Sequence, residues 1–118
     1  MMNLQLEKVG QTLIVRYEGE IDMSVSNSIK EAIEREMEKE RAKNLLFNLS
    51  KVDFIDSSGL GMLLGRYKYV VNVGGKITLT GANEVVDRLL DMSGLYGLMK
   101  HYRKEKLALR ALEGDGVL

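Results

Sequence analysis

The sequence predicts an α/β sandwich built from strand-helix-strand crossovers, and three features carry that expectation. Short apolar runs of strand length alternate with longer segments in which apolar residues recur at i, i+3 and i+4. No proline, internal repeat or low-complexity tract interrupts the alternation, so Gly, Asn, Asp and Ser must supply the breaks. A length of 118 residues fits one domain with a real hydrophobic core, spanning 1–118, and is too short for two.

Each element follows from its local pattern. Residues 3–9 alternate, with Leu4, Leu6 and Val9 inward, and Gly10-Gln11 reads as a hairpin connection into a second strand over 12–18. In that strand Leu13-Ile14-Val15-Arg16-Tyr17 is apolar enough for an interior position. Gly19-Glu20-Ile21-Asp22 is expected to be a loop, after which Ser24 or Ser26 caps a helix running to about residue 41. Val25, Ile29, Ala32, Ile33 and Met37 form its apolar stripe, and the Glu, Lys and Arg residues between them form a solvated face. Leu45-Leu46-Phe47-Asn48-Leu49 reads as a buried strand. A helix over 58–73 follows, with Leu60, Leu63, Leu64, Tyr67, Val70 and Val71 inward and Gly74-Gly75 ending it. Then come a short strand over 76–80, a helix over 83–92 with Val85, Val86, Leu89 and Leu90 inward, and a final helix over 103–112. The expected order is strand-strand-helix-strand-helix-strand-helix-helix.

Composition excludes several functions. Apolar residues make up 45% and charged residues 29%, and 17 acidic side chains balance 17 basic ones, so no basic stripe steers the chain toward nucleic acid. The absence of cysteine removes disulfides, thiolate catalysis and zinc-cysteine sites and fits a reducing compartment. The first ten residues lack a basic and apolar targeting signal, and no apolar run approaches the roughly 20 residues of a membrane helix, so a cytoplasmic location is expected. His101 is the single histidine, with no general-base arrangement beside it, and reads as structural. Gly59-x-Gly61-x-x-x-Gly65 has one residue too many for a dinucleotide fingerprint, and Gly74-Gly75-Lys76 lacks the Ser or Thr of a phosphate-binding loop. Asp53 and Asp56 fall well short of a metal-binding oxygen cage.

The chain is organised around Val52-Asp53-Phe54-Ile55-Asp56-Ser57-Ser58-Gly59-Leu60-Gly61, an acidic, two-serine turn that feeds the second helix. Asp56, Ser57 and Ser58 are all helix-capping residues, and one of them must accept hydrogen bonds from the first-turn amides. A phosphate on a hydroxyl here is well tolerated by the positive end of the helix, yet it adds charge to any surface a partner touches. Gly59 and Gly61 cost roughly 1 kcal/mol each against Ala in a helix, which suggests close approach by another backbone or molecule.

Phe54-Ile55-Asp56-Ser57-Ser58-Gly59-Leu60-Gly61, continued by Leu64-Gly65-Arg66-Tyr67-Lys68, resembles the signature of STAS domains, and more narrowly of the anti-sigma factor antagonists. Gly19-Glu20-Ile21-Asp22 and Asp91-Met92-Ser93-Gly94-Leu95 agree with the same family in the right order, so the resemblance covers about residues 3–113. It implies a small, partly parallel sheet with helices mainly on one face. It also implies that the unphosphorylated protein binds an anti-sigma factor, itself an ATP-dependent serine kinase, and so frees the sigma factor. Phosphorylation of the second serine, Ser58, would end the complex, and a PP2C-type phosphatase would reset it. Asp22, Asp56, Ser57, Ser58, Gly59, Leu60, Gly61 and Leu64 are the expected partner contacts. Met23-Ser24-Val25 departs from the more polar start that relatives show after Asp22. No catalytic residue, cofactor or metal is implied, and the free protein is expected to be a monomer. The alternative is a STAS domain that does not switch: a scaffold, a transporter-associated subunit or a nucleotide-binding module.

Overall fold

The computed structural model describes residues 3–114. The first two strands form the expected hairpin, β1 (Leu4–Val9) against β2 (Thr12–Tyr17), with Gly10 at φ 60° in its turn. From β2 the sheet grows only by parallel neighbours: β4 (Asn44–Asn48), β6 (Ile77–Thr80) and β7 (Lys100–Tyr102), in the order β1-β2-β4-β6-β7. Parallel neighbours require crossovers, and helices supply them. These are α1 (Met23–Glu40), α2 (Ser57–Asn72) and α3 (Glu84–Met92), while α4 (Glu105–Glu113) follows the last strand.

Strand alternation divides the side chains between two layers. Leu13, Val15 and Tyr17 of β2, Leu45 and Phe47 of β4, and Ile77 and Leu79 of β6 join Ile29, Ile33, Leu63, Val70, Val86 and Leu90 in the main core. The intervening Ile14 and Leu46 face the other way, where Ala108 and Leu109 of α4 cover them. Three helices therefore share one face, and α4 alone closes the other.

Ion pairs hold α4 at its first turn. The Arg16 guanidinium donates to both oxygens of Glu105, at 2.8 and 2.7 Å, and Asn48 Nδ2 donates to Glu105 Oε2 at 2.7 Å. Arg16 and Asn48, foremost Arg16, hold the Glu105 carboxyl below the usual carboxylate range. At the other end of α4, the Glu113 carboxylate accepts from the Gln11 amide at 2.9 Å and from the Thr12 hydroxyl.

Three strands were not expected. Gly19-Glu20-Ile21 is β3 (Gly19–Ile21) rather than a loop, paired in parallel with β5 (Val52–Ile55), a segment the sequence placed in the turn. These strands of three and four residues are too short for an alternation to show, and their partners lie more than 30 residues apart. The same brevity hid β7. The caps also differ from expectation. Asp22, not Ser24 or Ser26, caps α1, and the Ser24 hydroxyl donates to the Asp22 carboxylate at 2.5 Å. Val71 and Val85, expected to point inward, are each 52% exposed. His101 is half-buried, and its Nε2 accepts from the Ala82 amide at 3.1 Å, a structural use of the ring.

Replacing Glu105 with Ala leaves Asn48 without its carboxylate and Arg16 with Glu7 alone; because the pair is about one-third exposed, the expected loss is about 1–2 kcal/mol in urea denaturation.

Candidate functional site

The β3–β5 ribbon sets two helix starts side by side. Ile21 and Ile55, both fully buried, are the last residues of their strands, and Asp22 and Asp56 follow them as the caps of α1 and α2. The Asp56 amide donates to the Ile21 carbonyl at 3.1 Å, which joins the two starts through the backbone. The helices then run in the same direction: Ser26 Oγ lies 3.2 Å from Ser58 Oγ, and eight residues further along each helix Arg66 Nη1 donates to Glu34 Oε2 at 2.7 Å. Arg66 is buried between them, its guanidinium 5.8 Å from the Tyr69 ring centroid and its Nε without a partner.

Asp56 is the cap among the three candidates, and it holds more than its own helix. Its Oδ1 accepts from the Gly59 amide at 3.0 Å and from the Ser58 hydroxyl at 2.6 Å, and its Oδ2 accepts from the Met23 amide at 3.2 Å. The Ser58 hydroxyl, then the Gly59 amide, hold the Asp56 carboxyl below the usual aspartate range. At α1, Asp22 Oδ1 accepts from the Ser24 amide at 2.9 Å, and the Ser26 hydroxyl donates to the Asp22 carbonyl at 2.7 Å.

The expected contact residues do not share one environment. Ser57 and Gly61 are exposed; Asp22, Asp56, Ser58, Leu60 and Leu64 are half-buried; Gly59 is buried. A methyl group on Gly59 would lie 2.6 Å from the Ile21 carbonyl oxygen and 2.6 Å from Ile55 Cγ2, so this glycine is required by the approach of α2 to β3. Nothing stands within 4 Å of the same position on Gly61, so the fold places no demand on that glycine. Sequence reasoning missed Met23, 80% exposed with its amide on Asp56, and weighed Ser26 only as a cap. The signal for Met23 was an apolar residue at the first position of a helix, where burial is not expected. Phe54, quoted in the motif but not chosen, is 40% exposed two residues before Asp56.

Asp91-Met92-Ser93-Gly94-Leu95 forms the turn after α3. There Ser93 Oγ donates to the Leu90 carbonyl at 2.9 Å, and Gly94 adopts φ 81°. Among the described residues no cluster of His, Cys, Asp or Glu could hold a metal ion, and no helix is long and apolar enough to cross a membrane.

Gly59→Ala is expected to cost about 1–3 kcal/mol in urea denaturation, from overpacking against β3, whereas Gly61→Ala is expected not to destabilise the fold. The Asp56 carboxyl should titrate below the ordinary aspartate value in a carbon-13 NMR titration. Stability from its hydrogen bonds is then complete above the unfolded-state pKa and is lost as pH falls through the folded-state value.

Comparison with known proteins agrees with this geometry. The family model described as the STAS domain matches residues 3–108. An anti-sigma F factor antagonist of Paenibacillus polymyxa is 40% identical over 114 residues, covering 95% of this chain and 97% of that protein. The solved structure of the anti-sigma factor antagonist SpoIIAA in its unphosphorylated form superposes with a TM-score of 0.83 at 28% identity, over 95% of this chain and 97% of the other. The phosphorylated form of SpoIIAA, the Bacillus cell fate determinant, gives 0.71 at 28% identity, over 92% and 98%. With its sheet order, its paired helix starts and its Asp-Ser-Ser-Gly turn, the chain belongs to the STAS family, among the anti-sigma factor antagonists.

Proposed function

We propose that this protein is a regulatory binding module, not an enzyme, that antagonises an anti-sigma factor and is switched by phosphorylation of Ser58. In its unphosphorylated form it docks the head of α2 on an anti-sigma factor that is also a serine kinase, and the sigma factor is released. The kinase then modifies Ser58 and the complex separates; a PP2C-type phosphatase restores the hydroxyl. Asp56, Ser57, Ser58, Gly59, Leu60, Gly61 and Leu64 supply the contact at the head of α2 and along it, with Asp22 at the neighbouring helix start. The free protein is a cytoplasmic monomer, and residues 1–118 act as one domain, of which 1, 2 and 115–118 lie outside the described residues.

The observation that supports this reading best is the setting of the Ser58 hydroxyl. It is half-buried in a neutral contact with Ser26 and 2.6 Å from a carboxylate that also caps its helix. A phosphate there keeps the favourable end of the α2 dipole, but it sets a dianion beside the Asp56 carboxylate and close to the α1 cap. An interface fitted to the neutral hydroxyl would have to desolvate that charge, and the complex weakens.

Mass spectrometry after incubation with ATP and the cognate kinase is expected to find one phosphate, on a peptide containing Ser58. Ser58→Ala should still bind the kinase and take no phosphate, while Ser58→Asp should bind at least about tenfold more weakly, a change near 1.4 kcal/mol. Stoichiometric phosphorylation of Ser58→Ala would overturn the assignment.

A further inference from the structure

The five-stranded sheet has a notch at its outer edge. β7 pairs with β6 only from Thr78 to Thr80, so among the described residues the start of β6 at Ile77 has no strand on that side. A cavity of about 390 Å³ opens there, bordered by the C-terminal parts of α2 and α4. The rims of the two apolar layers meet around it: Tyr67 packs on the main core, and Tyr102 and Leu112 pack on the layer under α4. Val71 and Leu98, 52% and 44% exposed, continue the apolar wall. Its volume falls within the range of small-ligand sites, about 300–1,000 Å³.

The charges around that wall share one sign. Lys76 and Lys100 line the cavity, no acidic side chain among the described residues does, and neither lysine has an ion pair among those residues. The half-buried Tyr67 and Tyr102 bring two hydroxyls that also lack a hydrogen-bond partner among the described residues. In a chain whose charges balance, an open apolar wall edged by two ammonium groups and two phenols suits an apolar molecule with an anionic head. That head carries one charge rather than two. Both helices turn their negative, C-terminal ends toward the cavity, whereas a phosphate dianion is better served by a helix N-terminus.

We infer that the notch is a binding site for a small apolar carboxylate, such as the anion of a medium-chain fatty acid. Its apolar body lies against Val71, Leu98 and Leu112, and its carboxylate accepts hydrogen bonds from the lysine ammonium groups and the tyrosine hydroxyls. The site is separate from the docking end of the molecule. Ser58 is in the first turn of α2 and Val71 in the last, about 20 Å apart by helical rise, so the inference does not rest on modification of Ser58.

Titration with sodium decanoate, followed through methyl resonances in NMR spectra, tests the site. The expected result is a saturable shift centred on Val71, Leu98 and Leu112, with decanol, which lacks the charge, binding at least about tenfold more weakly. Two variants at exposed positions should each weaken decanoate binding by at least about tenfold: the double change Lys76→Gln with Lys100→Gln, and Val71→Glu, which sets the chain's own carboxylate in the wall. No saturable shift at about 1 mM decanoate overturns the inference, as does equal binding of decanol or undiminished affinity in both variants. Self-association of the double lysine variant in sedimentation, with a wild-type chain that ignores decanoate, overturns it too: the lysines then guard an open strand edge against a second copy.

Discussion

The carboxylate of Asp56 is the constraint on which the functional end of this molecule depends. It caps α2 through the Gly59 amide, orients the Ser58 hydroxyl and accepts the first amide of α1. These three tasks are possible together only because the β3–β5 ribbon delivers Ile21 and Ile55 to neighbouring positions and ends both strands there. Gly59 completes the arrangement by letting α2 settle on the backbone of β3. A larger residue at Gly59 would move the helix start, and Ser58 with it.

Much of this was legible in the sequence. The hairpin, the interior strands β4 and β6 and the sequence of four helices follow from apolar runs and periodicity bounded by glycine and polar breaks. The turn at 56–58 was legible because the three capping residues are adjacent. What could not be read was set by pairing across the chain. Whether Gly19-Glu20-Ile21 is a loop or a strand depends on β5, more than 30 residues later, and the identity of the α1 cap depends in turn on where that strand stops. Ser24 and Ser26 are both good caps in isolation; the end of β3 at Ile21 gives the position to Asp22. Val85 shows the opposite limit: it lies at one edge of the apolar stripe of α3 and is 52% exposed, and periodicity alone does not say which edge residue is left out.

The site residues divide in the same way. Ser58, Leu60 and Leu64 occupy one helix, and a motif with regular spacing brought them together. The link from the head of α2 to α1, through the Met23 amide on Asp56 and the Ser26 hydroxyl beside Ser58, joins residues about 30 positions apart and needed coordinates to be seen. The two helices remain in register well beyond the turn, where buried Arg66 meets Glu34. Their heads therefore stand on a pair of packed helices rather than on a loose loop.

The attachment of α4 has a consequence for how the chain is made. Its two carboxylates reach back 89 residues to Arg16 and 102 residues to Gln11, and its Ala108 and Leu109 are the buried residues that pack with Ile14 and Leu46. During synthesis from the amino terminus, the helical side of the sheet can be completed while the opposite side stays bare until Glu105–Glu113 clears the ribosome. For that interval the nascent chain presents a sheet with apolar side chains open to solvent, and the arrival of α4 protects it from sticking to other chains.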